Sequence, residues 1–390
     1  MTSGGWQSYG RWSSSPPTSI SFSPLAFPAS CAGTTGLAPT LAAASPLRRN
    51  PSSSALFASS LVRRPAWALL LCAHSPLRAI MLFSVSFYGS LLAAILSNIF
   101  PSNCSYCISD LFPVGRCLQL LQKTIGEIKQ QDDDASLSAF EVDLSSFSSI
   151  KKFESGIKQW LLDSNLHPSI QLLINNAGIL ATSCRVTSDG YDQMMQTNFI
   201  GAFVLTNLLL PLLKISPVPS KIVNVTSFTH RCISNTDLNE GTLGGKIFDC
   251  LPTSGSYPSA HTYELSKFCL LLFSYELHRQ LHLVDPSPNI SVIAADPGVV
   301  ETKIMREIPP IISELAFKAL RIMRLLQSPE TGVDSIIDAA LAPSDASGEY
   351  FFGGRGRTIR SSKLSYNAQL GKNLWSRSMM LFEEVQSSFH

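Results

Sequence analysis

From Ile125 to the C terminus, short runs rich in isoleucine, valine and leucine alternate with longer amphipathic stretches, and no other feature of the 390-residue chain narrows its fold as much. Strands that alternate with helical crossovers build parallel sheets. The pattern predicts strands over residues 137–142, 170–174, 221–225, 290–294 and 349–352. Between them it predicts helices over 148–163, 189–213, 262–283, 310–326 and 330–341. The strand runs lack strict polar–apolar alternation, so both faces of the sheet are expected to be covered. That is a doubly wound, Rossmann-like α/β architecture, in which ligands sit beyond the carboxyl ends of the strands.

Composition changes abruptly between Asp110 and Gln122, which divides the chain into an extension over 1–111 and an α/β domain over 112–390. Ahead of Asp110 there is no Asp or Glu, Ser, Pro and Ala dominate, and the only charges are arginines. Such a stretch reads as a transit-like or disordered leader. The uncharged run between Ala79 and Phe100 is long enough to cross a bilayer, at ~1.5 Å per residue against a core of ~30 Å. A buried strand–helix pair fits the same run. An intracellular location follows, with an organelle or a membrane surface as alternatives. A net charge of +2 with no cluster of Lys and Arg excludes nucleic acid as a partner. The nine scattered cysteines argue against a disulfide framework, and Cys104-x-x-Cys107, lacking a second pair, gives no metal site. Asn224-Val-Thr and Asn289-Ile-Ser match the glycosylation pattern but lie in strand-like runs and read as structural.

The chemistry concentrates in Tyr263-Glu-Leu-Ser-Lys267 at the start of a predicted helix. Four residues make about one helical turn, so the phenol and the ammonium share a face. A tyrosine hydroxyl titrates near ~10 in water and a neighbouring cation favours its phenolate. Lys267 is thus expected to tune Tyr263 as a general acid/base and to donate to a cofactor ribose. Ser227 ends the strand run Lys221-Ile-Val-Asn-Val-Thr-Ser, where it either polarises a substrate carbonyl or caps the next segment. Asn175, Ala177 and Gly178 follow another strand in Asn-Asn-Ala-Gly, small enough for a nicotinamide or ribose to approach the backbone, or simply a turn. Asn198, polar among apolar helical neighbours, either satisfies a helix carbonyl or holds a water for proton relay.

In this order the motifs resemble the short-chain dehydrogenase/reductase family over roughly residues 112–390. The resemblance implies a catalytic tetrad of Asn198, Ser227, Tyr263 and Lys267. It implies that Asp143 contacts adenine, that Pro297-Gly298 forms the family's turn, and that Val299 and Thr302 lie near the nicotinamide amide and the phosphates. Val114-Gly-Arg116 resembles the end of the second strand, where an arginine meets a 2′-phosphate, which implies NADP(H) rather than NAD(H). Within the family, the chain looks like the retinol dehydrogenase and protochlorophyllide reductase-like branch. Its wording at Val225-Thr-Ser-Phe-Thr-His-Arg231 and Tyr350-Phe-Phe-Gly-Gly354 is closest to the plant FOREVER YOUNG type of oxidoreductase, which implies a role in plant development. By the same analogy the substrate is an apolar carbonyl or alcohol and the protein a homo-oligomer.

The family opens with a strand followed by a T-G-x-x-x-G-x-G phosphate loop, and no such motif occurs in this sequence. The best-placed substitute is a strand over 80–85, Gly89 in the turn and a helix over 91–98, a degenerate first β-α unit. Membrane contact through Ala79 to Phe100 is the competing use of the same residues. Loss of the glycines also supports a rival reading, a cofactor-deficient pseudoenzyme or regulatory scaffold.

Overall fold

A computed structural model of the chain describes residues 80–84, 110–130, 136–164, 167–238, 248, 256–285, 288–354 and 356–389. Its frame is an eight-stranded parallel sheet. The strands are β1 (Ile80–Ser84), β2 (Asp110–Gly115), β3 (Ser136–Leu137), β4 (Phe140–Glu141), β5 (Leu172–Asn175), β6 (Ser220–Val225), β7 (Ile290–Asp296) and, after a separate ladder described below, β10 (Tyr350–Phe352). They run in the order β10-β7-β6-β5-β1-β2-β3, with β4 also on β2. Every pairing is parallel. The order reverses at β1, which pairs with β2 on one side and β5 on the other, so the strand expected over 80–85 occupies the centre of the sheet. The sheet therefore draws its central member from ahead of residue 112, where composition divides the sequence. Five residues of the Ala79-to-Phe100 run are spent in β1, so the run does not form one membrane-crossing helix. Its remainder, including Gly89 and residues 91–98, lies outside the described residues, as do Cys104 and Cys107.

Helices α1 (Leu118–Lys129), α2 (Phe147–Asp163), α3 (Gln193–Lys214), α4 (Ser259–Val284), α5 (Pro310–Ile322), α6 (Pro329–Leu341) and α7 (Ala368–Ser387) supply the crossovers and the covering layers. Their starts are chemically marked: Ser146, Asp192, Ser328 and Asn367 each accept a backbone N–H of the first turn. Burial on both sheet faces follows from the composition of the strands, with Leu173, Ile174, Ile222, Val223, Val292 and Ile293 all at 1% exposure or less. α3 is long and apolar enough to cross a membrane by length and composition, yet 83% of its apolar window is buried inside the protein. It is a core helix. Phe199 and Phe203 of α3 pack on Phe273 of α4, and Trp375 of α7 stacks on Phe273 with centroids 6.2 Å apart. At Gly201, α3 passes so close to the loop after β4 that a Cβ there would stand 2.3 Å from the Leu144 carbonyl oxygen.

The single strand expected over 137–142 is broken into β3 and β4, and the helix expected to reach residue 326 ends at Ile322. Leu326–Gln327 (β9) instead pairs in parallel with Val299–Val300 (β8) in a small separate ladder. Asn224 and Asn289 are structural, as expected: Asn224 is buried and donates to Ser274 Oγ, and Asn289 donates to the Ser216 carbonyl. Cys184 is disulfide-bonded, while Cys117, Cys232 and Cys269 are free thiols.

Candidate functional site

Three adjacent strands, β5, β6 and β7, end on the same side of the sheet, and their carboxyl ends carry Asn175-Asn-Ala-Gly178, Val225-Thr-Ser227 and Asp296-Pro-Gly298. α4 crosses in front of them. Between these parts lies a cavity of about 490 Å³. Gly178, Ser227, Tyr263, Lys267, Pro297, Gly298, Val299 and Thr302 all line it, which unites eight of the residues singled out from the sequence.

Lys267 is 4% exposed and donates from Nζ to the Val225 carbonyl at 3.0 Å, so the end of β6 fixes it. Its ammonium lies 6.0 Å from the Tyr263 ring centroid. Burial lowers its pKa to about 8, against the pull of the Asp296 carboxylate. Asp296 is itself fully buried; burial raises its pKa, while the Tyr350 hydroxyl and the Gly298 N–H, at 2.7 Å, hold its oxygens. That bond sets the turn after β7, where Gly298 takes φ +76°. At Gly178 the backbone passes Lys267 so closely that a Cβ would sit 3.2 Å from Nζ.

Ser227 caps the next segment, one of the two roles foreseen for it, and also lines the cavity. Its Oγ caps the short turn over Phe228–Cys232 by accepting from Thr229 N at 3.4 Å, and it also accepts from Thr229 Oγ1 at 3.1 Å. Both contacts use the oxygen as acceptor, which leaves the O–H to donate into the cavity. His230 holds the same turn from behind: Nδ1 donates to the Ser227 carbonyl at 2.6 Å and Nε2 accepts from Ser362 N at 3.2 Å. Those two bonds require the neutral ring, and burial lowers its pKa from 6.5 to about 4. The contribution of His230 to stability is therefore full above pH 6.5 and declines as pH falls through about 4, with a slope approaching ~1.4 kcal/mol per pH unit. Urea unfolding between those pH values is expected to show a shallower pH dependence in His230→Phe than in the parent; equal slopes would remove the role assigned to the ring.

Asn198 lies in a π-helical stretch of α3, Gln196–Ile200. Its Oδ1 accepts from Ile179 N at 2.8 Å, while Nδ2 donates to the Ile179 carbonyl and to Ser266 Oγ, both at 3.0 Å. Both amide hydrogens are engaged within the protein, and these bonds tie the chain after Gly178 to α4. Asn175 departs from expectation. It is buried at 2% and donates to Thr206 Oγ1 and Asn224 Oδ1 on the far side of the strand end, and its neighbour Asn176 lines the cavity. Ala177 packs against the core. Arg116 and Asp143 follow β2 and β4, whose ends are paired, beyond β1 from the cavity. Arg116 is exposed, and Asp143 accepts from Ser145 N and Oγ.

One feature of the wall was not singled out from the sequence, while another falls in the segment 301–326, which the sequence places over the substrate as a variable stretch after a strand end. Glu264, beside Tyr263, lines the cavity. The segment Ile304–Ile308 and the α5 residues Phe317 and Leu320 close another side. That segment is tied down by Glu307, which pairs with Arg185 and accepts from Thr182 N at 3.3 Å.

The family described as short chain dehydrogenase matches residues 110–233. The chain is 30% identical over 262 residues to polyprenol dehydrogenase of Homo sapiens, a match covering 66% of this chain and 72% of that protein. It is 30% identical over 266 residues to the chloroplastic short-chain dehydrogenase TIC 32 A of Brassica napus, covering 66% and 76%. Among solved structures, an uncharacterised protein of Mycobacterium paratuberculosis superposes with a TM-score of 0.53 at 25% identity, covering 80% of this chain and 97% of that one.

Proposed function

Because the chain belongs to the short-chain dehydrogenase/reductase family, we propose that it is an NADP(H)-dependent oxidoreductase acting on an apolar carbonyl or alcohol, with Tyr263 as its general acid/base. One observation carries the reading: Ser227, Tyr263 and Lys267 line a single cavity with Gly178 and Gly298, at the ends of three adjacent strands. The residues fit the nicotinamide end of a dinucleotide, since close backbone approach at Gly178 leaves room that a side chain would fill. When bound, the cofactor supplies or accepts the hydride. In the reductive direction Ser227 donates to the substrate oxygen and polarises the carbonyl. Tyr263 gives its proton to that oxygen as negative charge develops there, and the adjacent Lys267 ammonium stabilises the phenolate left behind. Asn198 keeps Gly178 and α4 in register. Arg116, exposed after β2, is assigned to the 2′-phosphate and Asp143 to adenine, which favours NADP(H) over NAD(H). The domain doing this work comprises residues 112–390 together with β1.

An apolar substrate suits the walls contributed by Leu180, Val299, Ile304, Met305, Phe317 and Leu320. The similarity to a polyprenol dehydrogenase points to a long isoprenoid alcohol or aldehyde, and the sequence wording supports membership of the FOREVER YOUNG type. Titration of NADPH fluorescence against the full-length protein is expected to saturate, and NADPH absorbance is expected to fall on adding an isoprenoid aldehyde. Absence of saturation up to about 1 mM, an affinity weaker than ~4 kcal/mol, would replace the enzyme by a scaffold that keeps the fold without its cofactor.

A further inference from the structure

Helix α5 turns one apolar face to the cavity and a second to solvent. Phe317 and Leu320 form the first. In the second, Ile311, Ile312, Leu315 and Ile322 are exposed by 74%, 57%, 61% and 83%, and no residue of the helix is buried. Successive residues turn by about 100°, so these four share an arc about 100° wide. Met323 and Leu325 prolong the patch beyond the helix end, both more than half exposed. Its flank is basic: Lys318, Arg321 and Arg324 against Glu314 give residues 310–325 a net +2, and all four side chains are exposed; Arg321 is paired with Glu301 at 2.8 Å, so the basic character rests on Lys318 and Arg324.

We propose that this face of α5 docks on the surface of an anionic lipid bilayer, with the helix in the headgroup plane, its isoleucines and Leu315 below it and its cations against lipid phosphates. An apolar stripe bordered by Lys and Arg is what an interfacial helix presents. The centre of a protein–protein interface is instead depleted of lysine. The proposal stands apart from the oxidoreductase reading, since it is read by membrane binding alone. Where both hold, the helix that walls the cavity also rests on the phase in which an apolar substrate dissolves.

The test is co-sedimentation of the full chain with phosphatidylcholine vesicles, with and without phosphatidylglycerol. The parent is expected to bind the mixed vesicles more tightly. Ile311→Ser/Leu315→Ser/Ile322→Ser, which alters only exposed positions, is expected to bind at least about tenfold more weakly, with its thermal unfolding unchanged. Lys318→Gln/Arg324→Gln is expected to lose about fivefold per charge on anionic vesicles and nothing on neutral ones. Equal vesicle binding by the triple variant would overturn the proposal. So would a parent that ignores vesicles and is dimeric in sedimentation velocity while the triple variant is monomeric, because the face would then be covered by a second copy of this chain.

Discussion

A Tyr263→Phe protein is expected to bind NADPH as its parent does and to reduce an isoprenoid aldehyde about 10³-fold more slowly, the scale a positioned general acid contributes. The substitution removes one oxygen and keeps the ring that packs with Leu180 and Tyr257 around Ile179, Ala181 and Met194. Without the hydroxyl, the substrate oxygen gains negative charge with only Ser227 to meet it. Lys267 remains fixed to the Val225 carbonyl and has no phenolate to stabilise. Steady-state turnover beside a fluorescence titration separates loss of chemistry from loss of binding. Parental turnover in the variant would sink the assignment of Tyr263.

Gly201→Ala is expected to cost about 3 kcal/mol or more of folding stability, at the upper end of the range for overpacked interiors. The added carbon would meet a backbone oxygen, the Leu144 carbonyl, and the Leu144 Cβ at 2.8 Å, and neither can move by rotating a side chain. Relief requires α3 to withdraw from the loop after β4. That motion would disturb Phe199 and Phe203, which anchor the aromatic cluster shared with α4 and α7. Urea denaturation monitored by tryptophan fluorescence measures the loss; a midpoint within error of the parent would show that α3 shifts at no cost.

Much of this arrangement is legible in the sequence, for identifiable reasons. Strand runs such as Ile290–Asp296 are apolar on both faces, so their lengths and burial follow from composition. Tyr263 and Lys267 are found because helical spacing is rigid. β1 is legible only from its distance to β2, since the glycines that normally announce it are missing. α7 is not legible in the sequence because its inward stripe, Gly371, Leu374, Ser378, Leu381, Phe382 and Val385, mixes small and polar residues with apolar ones. The choice between Asn175 and Asn176 also escapes sequence reasoning. Neighbouring side chains at a strand end point to opposite faces, and only the register of β5 decides which asparagine meets the cavity.

The provenance of β1 has a practical corollary for fragments of this chain. The family match begins at residue 110, which invites a truncation there, yet such a cut would delete the strand that bridges β2 and β5. Each half-sheet would then present a raw backbone margin of unanswered amides and carbonyls in the middle of its apolar surface, a template on which identical fragments polymerise.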